Sequence, residues 1–182
     1  MSDTSLTSDS STAPGPAFDE QPVTEIAYSK AFEERIRAYH RGMEDRPQFD
    51  SYVSAQMGGP GSRVVQFARE LIPEIEYHCG PLRGRRVLDC GCGTGATTVN
   101  LAARGASVVA FDVDERGIEI CRLRVAEHGL SDRVEGFVRS GSIEDVAEEI
   151  GGFDLVLMNG VVEHVPASIP GLRCRVLRSA LD

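Results

Sequence analysis

One nine-residue stretch constrains the fold of this chain more than any other. Val87 and Leu88 are apolar residues that favour a β-strand, Asp89 follows them, and glycines then occupy every second position over 91–95. The next residues, 96–104, show a helical pattern that ends at a capping glycine. The glycines therefore predict a tight turn from a strand into a helix. Such a turn exposes backbone N–H groups and the positive end of a helix dipole, which suits a small, partly anionic ligand.

Two kinds of nucleoside cofactor have to be weighed for this turn. The spacing Gly91-x-Gly93-x-x-Ala96 formally satisfies the fingerprint of dinucleotide-binding proteins. Two features argue against NAD, because the charge of Asp89 would repel a pyrophosphate and because Gly95 comes one residue too early. A carboxylate here suits a ligand that carries a cationic amine or sulfonium group and a carboxylate of its own.

The run from 89 to 95, with the spacing D-x-G-x-G-x-G, resembles motif I of the class I S-adenosylmethionine (SAM) dependent methyltransferases. The resemblance implies that this run wraps the methionine part of SAM. The cofactor-binding residues that it implies in the turn are Asp89, Gly91, Cys92, Gly93 and Gly95.

Composition limits the class of protein. The 182 residues are 41% hydrophobic and 26% charged, which is enough for one domain with a buried core. The formal net charge of −9 disfavours a non-specific nucleic-acid binder. No apolar run approaches the roughly 20 residues that span a membrane, and the first residues lack a secretory pattern. The five cysteines form no C-x-x-C pair, so we expect reduced thiols in a cytoplasmic protein.

Three segments follow from the distribution of apolar residues. Residues 1–23 are rich in Ser, Thr, Asp and Pro, and we expect a disordered leader there. Residues 24–82 are expected to form a helical lid region. Residues 83–182 are expected to form a SAM-binding, Rossmann-like core that is truncated, because the resemblance implies a fifth strand and a hairpin beyond it.

The lid region is predicted as two helices with a loop between them. Apolar residues at helical spacing predict a helix over 24–43 and a second one over 63–78, kinked at Pro73. The first helix packs either over the cofactor cleft or simply on the domain. Glycines and prolines predict a loop over 45–62, in which Tyr52 either touches SAM or anchors the loop.

Strands and helices alternate through the core, which predicts an α/β fold: a Rossmann-like parallel sheet with helices on both faces. The fourth strand would have an unpaired edge. The predicted strands are 85–90, 106–111, 134–138 and 153–158, and the predicted helices are 95–104, 115–128, 143–150 and 166–182.

Two further positions follow the second and third strands. Asp112 ends the second strand about 20 residues after the glycine turn, where a carboxylate can accept the ribose hydroxyls of NAD or SAM. Its alternative role is to cap the next helix, but Asp114 is better placed for that; Val113 is grouped with the cofactor site. After the third strand the resemblance implies an adenine site, where Ser142 stands in the place of an aspartate and Ile143 packs on the ring. Ser142 could equally begin a capping box.

A second signature covers residues 153–166, which resemble motif IV and the Glu-His-Val segment of ubiquinone-biosynthesis O-methyltransferases. The resemblance places Asn159 at the cofactor. His164 is the candidate general base, since an imidazole has a pKa of about 6.5, and Glu163 would orient it. Alternatively, both cap the next helix. Relatives with Glu-x-x-Glu-His can hold a divalent metal, but Gly160 replaces the first glutamate here, so no metal site is expected.

These observations favour a SAM-dependent methyltransferase that acts on a small molecule, with oxygen as the expected acceptor atom. A base is needed only when the acceptor must lose a proton, so the acceptor itself is not specified by these residues. Two alternatives stay open: a non-catalytic SAM-binding fragment or interaction module, and an NAD-dependent oxidoreductase. The expected partner is a small-molecule acceptor rather than nucleic acid or membrane.

Overall fold

The computed structural model of the chain describes residues 26–140 and 152–161. Its centre is a four-stranded sheet in which every neighbouring pair is parallel, in the order β3-β2-β1-β4. The strands are rich in Val, Leu and Phe, as expected where a parallel sheet is buried. The strands are β1 (Arg86–Cys90), β2 (Ser107–Asp112), β3 (Val134–Arg139) and β4 (Leu155–Leu157).

Six helices accompany the sheet within the described residues. They are α1 (Lys30–Tyr39), α2 (Phe49–Gln56), α3 (Arg63–Arg69), α4 (Leu71–Cys79), α5 (Ala96–Ala103) and α6 (Glu115–Glu127), and a 3₁₀ turn (Ser131–Arg133) precedes β3. None of these helices combines the length and the apolar character that crossing a membrane would need.

Alternate residues of each strand point to opposite faces, so the sheet divides the core into two clusters. Val87 and Val108 belong to the face that packs against α3, α4, α5 and α6. Leu88 and Val109, the next residues along β1 and β2, belong to the opposite face, together with Phe153. The predicted Rossmann-like parallel sheet is confirmed. The helices predicted for 143–150 and 166–182 lie outside the described residues.

A third layer covers α6 from the outside and corrects the prediction for 24–43. The helix there is shorter and starts only at Lys30, because the Ser29 hydroxyl accepts a hydrogen bond from Phe32 N (3.1 Å) and caps it. Phe32 and Ile36 are buried against Ile120 of α6. The apolar stripe of α1 therefore packs on the domain, which was the simpler of its two predicted placements.

The predicted loop over 45–62 is wrong, because it contains α2. Phe49 and Val53 are four residues apart, so they lie on one side of a helix, and Val53 is buried beside Phe32. The glycines and prolines that suggested a loop are real breakers, but they lie on either side of this short helix.

The predicted single helix over 63–78 is also wrong. The chain breaks at Glu70 (φ −112°), between α3 and α4, rather than kinking at Pro73. Pro73 has no N–H to donate to the carbonyl of Arg69, so α3 cannot continue through it. In the first turn of α4 the missing N–H costs nothing, because first-turn N–H groups have no partner inside a helix.

Candidate cofactor-binding site

The glycine turn connects β1 to α5 at the carboxyl edge of the sheet, as predicted. The N–H groups of Gly91 and Cys92 both donate to the carbonyl of Phe111 (2.8 and 2.9 Å), which fastens the turn to β2. Gly95 is the first residue outside α5 and has a left-handed conformation with φ +85°. Since glycine offers no side-chain cap, no side chain accepts a hydrogen bond from the first N–H groups of α5 at this edge.

Close packing on both sides explains why two of these positions must be glycine. A Cβ on Gly95 would lie 2.6 Å from the sulfur of Cys121 in α6. A Cβ on Gly91 would lie 2.1 Å from Cγ2 of Val161, which follows β4. The turn is therefore held between α6 and the segment after β4, with its backbone at the sheet edge.

Asp112, at the end of β2, binds directly to the turn. Its Oδ2 accepts the N–H of Gly93 (2.7 Å), and its Oδ1 accepts the N–H of Asp114 (2.9 Å). A carboxylate oxygen has two lone pairs, so each oxygen keeps room for a hydroxyl. Asp114, and not Asp112, is the residue that caps α6, accepting the N–H of Arg116 (3.0 Å). Between them Val113 is 60% exposed and forms an apolar rim.

Asp89 lies beneath the turn instead of lining its open edge. The residue is 1% exposed, and its Oδ2 accepts a hydrogen bond from the Thr98 hydroxyl (2.6 Å). Burial raises the pKa of Asp89 to about 6, although the hydrogen bond from Thr98 opposes this. At neutral pH the group is therefore a buried anion directly under the turn.

The raised pKa predicts how stability changes with pH. In the folded chain the carboxyl group of Asp89 stays protonated up to about pH 6, whereas the carboxyl group of a free aspartate loses its proton near pH 3.8. Protonated Asp89 therefore stabilises the folded chain fully below about pH 4. As the pH rises through 6 this contribution is lost, and the free energy of unfolding falls by about 2–3 kcal/mol. Asp89→Asn should remove this loss and leave the variant more stable than the parent at pH 8, as measured by urea unfolding at a series of pH values.

Asp132→Asn is the matched control, because Asp132 is exposed in the 3₁₀ turn before β3. It should leave the pH profile of the parent unchanged. An Asp89→Asn variant whose pH profile matches that of the parent would show that Asp89 is not a strained buried anion.

The segment after β4 completes the carboxyl edge. Asn159 is exposed two residues after β4, the strand that pairs with β1, so it reaches the same edge as the turn. It also lines a cavity of about 310 Å³ between this segment and the α3–α4 junction, with Phe67 and Leu71 among its apolar walls.

Of the other predicted site residues, Ser142, Ile143, Glu163 and His164 lie outside the described residues. Within 26–140 and 152–161, no three His, Cys, Asp or Glu side chains are grouped to hold a metal ion.

The position of Tyr39, the last residue of α1, near this edge was missed by sequence reasoning. The pKa of Tyr39 is raised by burial and by the negative charges of Asp114 and Asp112, which shows that the end of α1 approaches the carboxylates after β2. Tyr52, an expected cofactor contact or loop anchor, stacks on His40 with ring centres 6.1 Å apart. The helical pattern of α1 could reveal the buried face of that helix but not what its last turn approaches.

Comparison with known proteins identifies the class. The family described as "Methyltransferase domain" matches residues 87–179, and the chain belongs to this family. The match begins in β1 and includes the glycine turn and Asp112. The resemblance to class I methyltransferases is thereby confirmed at the level of the domain family.

Curated relatives share part of their length with this chain. It is 40% identical over 104 residues to the ubiquinone biosynthesis O-methyltransferase of Hahella chejuensis, covering 56% of this chain and 42% of the relative. It is 39% identical over 108 residues to the protein of that name from Methylocella silvestris, covering 59% and 41%. The chain thus spans about two fifths of the length of these relatives.

Solved structures support the fold. The magnesium protoporphyrin IX methyltransferase of Synechocystis PCC 6803, determined with bound SAM, matches with a TM-score of 0.55 and 23% identity over 80% of this chain and 72% of that one. The bifunctional kinase-methyltransferase WbdD matches with a TM-score of 0.50 and 27% identity over 74% of this chain and 29% of that one. Both likenesses support the fold described above for residues 26–140 and 152–161.

Proposed function

We propose that this chain binds SAM at the edge formed by the glycine turn and Asp112. The observation that carries the proposal is the hydrogen bond between Gly93 N and Asp112, since it sets a carboxylate beside open backbone N–H groups. The carboxylate suits the two ribose hydroxyls, and the N–H groups at the start of α5 suit the carboxylate of the amino-acid end. The buried charge of Asp89 favours a ligand whose reacting end is cationic.

The adenine end is proposed from the sequence and the exposed rim together. Val113 provides an apolar surface beside Asp112, and Ser142 and Ile143 are proposed to hydrogen-bond and pack on the ring. Asn159 is proposed to close the opposite side, because it follows β4 at the same edge. In this arrangement the cofactor crosses the carboxyl ends of β2, β1 and β4.

We further propose that the domain transfers methyl groups to a small molecule, with oxygen as the acceptor atom. The support is family membership together with the names of relatives that share about 40% identity over part of their length. SAM supplies a methyl group that its sulfonium already activates. The residues of the chain then have to align the acceptor and exclude water. His164 is proposed to remove the acceptor proton, with Glu163 orienting it.

Titration calorimetry tests the binding proposal. The chain should bind SAM and its product S-adenosylhomocysteine (SAH), and it should not bind NAD. Binding of NAD without SAH would overturn the proposal and restore the oxidoreductase alternative. Asp89→Asn adds a sharper comparison, because only SAM carries the sulfonium charge. The variant should lose more affinity for SAM than for SAH.

Methyl transfer tests the catalytic proposal separately. Incubation with labelled SAM and a metabolite extract should give a labelled small molecule, and the label should survive mild conditions that preserve methyl ethers. The alternative that this experiment has to exclude is a non-catalytic SAM-binding domain. SAH binding without labelled product would support that alternative.

We also propose a cytoplasmic protein that does not act on nucleic acid. The cysteines of the described part, Cys79, Cys90, Cys92 and Cys121, are free thiols, which fits a reducing compartment. The net charge of −9 disfavours contact with phosphate backbones.

A further inference from the structure

Arg124 of α6 is a fully buried cation that the proposed methyl transfer does not use. Its Nε donates to the carbonyl of Thr94 (2.7 Å), its Nη2 to the carbonyl of Gln56 (2.8 Å), and its Nη1 to the Tyr28 hydroxyl (2.6 Å). The guanidinium carbon also lies 5.0 and 4.9 Å from the ring centres of Tyr28 and Phe32. These three hydrogen-bond partners are neutral oxygens.

A buried guanidinium tolerates such surroundings only while its donors are paired, because removing a cation from water is costly. Burial lowers the pKa of Arg124, and the Tyr28 hydroxyl opposes that shift. The three acceptors belong to separate parts of the chain. Tyr28 precedes α1, Gln56 ends α2, and Thr94 stands between two glycines of the turn. One side chain therefore joins the lid region to the cofactor turn.

A second bond reinforces the same junction. The Thr94 hydroxyl donates to Oε1 of Gln56 (2.7 Å), and this oxygen also lies 3.4 Å from Nη2 of Arg124. On the other side of the turn the neighbouring residue, Gly93, donates to Asp112. The turn is thus fixed between the ribose-binding carboxylate and the lid region, through consecutive residues of the backbone.

We propose that Arg124 is a positioning residue that couples docking of the lid helices, residues 26–57, to cofactor binding at the glycine turn. This inference rests on the proposed function, because the ligand in question is the one assigned to the turn. When Arg124 and Gln56 hold Thr94 in place, the N–H groups of the turn are already oriented for the ligand. By linkage, a ligand that orders the turn must strengthen docking of the lid helices by the same factor.

The test combines SAH affinity with hydrogen exchange of residues 26–57. In the parent chain, SAH should slow amide exchange in this segment. Arg124→Lys keeps the charge but cannot reach the three partners, so it should weaken SAH binding by about 5- to 150-fold. It should also abolish the effect of SAH on exchange in 26–57, which a merely structural role would not do once the variant is shown to be folded.

Two further variants keep the test decisive. Arg122→Lys is the matched control on α6, because Arg122 is exposed and its guanidinium carbon lies 4.9 Å from the ring centre of Phe137 in β3, away from the lid helices. It should retain both SAH affinity and ligand-dependent protection. Gln56→Met removes only the side-chain acceptor, so this variant should fold even if Arg124→Lys does not. It should weaken SAH binding at least about fivefold.

The outcomes separate this inference from the proposed function. If the parent chain binds no SAH, the proposed function fails and the coupling fails with it. If the parent chain binds SAH while a folded Arg124→Lys or Gln56→Met variant binds it equally well, or still shows protection of 26–57, only the coupling is overturned.

Discussion

Replacing Gly95 with alanine should lower the free energy of unfolding by about 2–5 kcal/mol, measured by urea unfolding followed by circular dichroism. Two effects add. The backbone of Gly95 has φ +85°, where an L side chain costs about 1–2 kcal/mol. The new Cβ would also lie 2.6 Å from the Cys121 sulfur and 3.0 Å from the Cys121 Cα, and overpacking of this kind costs about 1–3 kcal/mol.

Gly129→Ala is the control for the conformational part of that effect. Gly129 also has a positive φ, +67°, but a Cβ there would meet no atom within 4 Å. Its substitution should cost only about 1–2 kcal/mol. Equal losses for the two variants would contradict the tight packing of the turn against α6. A larger loss at Gly95 accompanied by lost SAH binding would tie that packing to the site.

Replacing Asp112 with alanine should weaken SAH binding by about 3–6 kcal/mol, or more than about 100-fold, in a calorimetric titration. The variant would lose the two charged hydrogen bonds that we propose to the ribose, each worth roughly 1.5–3 kcal/mol. It also releases the N–H of Gly93, which Asp112 accepts at 2.7 Å, so the turn loses one of its fixed points. The unfolding midpoint of the variant should be measured alongside, to show that the loss is one of binding.

Asp114→Ala distinguishes a ribose ligand from a helix cap. Asp114 caps α6 through the N–H of Arg116, so its loss should cost about 1 kcal/mol of stability. SAH affinity should change little. If the two variants weaken SAH binding equally, Asp112 is not the residue that receives the ribose.

The parts of the fold that sequence reasoning predicted correctly depend on local patterns. The apolar run of β1, the alternating glycines and Gly105 after α5 determine a strand, a turn and a helix within twenty residues of each other. Asp112 could be placed because it ends the next apolar run, and parallel strands bring their carboxyl ends to the same edge. Asp114 could be assigned as the cap from its spacing to α6 alone.

The features that were missed depend on contacts between distant parts of the chain. Helix α2 has only eight residues and is stabilised by Val53 packing beside Phe32, which no short window of sequence contains. Asp89 was predicted to contact the cofactor directly. Its burial under Thr98 could not be predicted, because it depends on the packing of α5 against β1. The buried position of Arg124 was not predicted at all, since its hydrogen-bond partners are 30 to 96 positions away in the sequence.

The most direct test of the account is a crystal structure of the chain grown with SAH. We predict both ribose hydroxyls within about 3 Å of the Asp112 carboxylate and the amino-acid end of SAH above the glycine turn, at the start of α5. SAH bound at another place, or an empty sheet edge at saturating SAH, would contradict the assignment of this turn as the cofactor site.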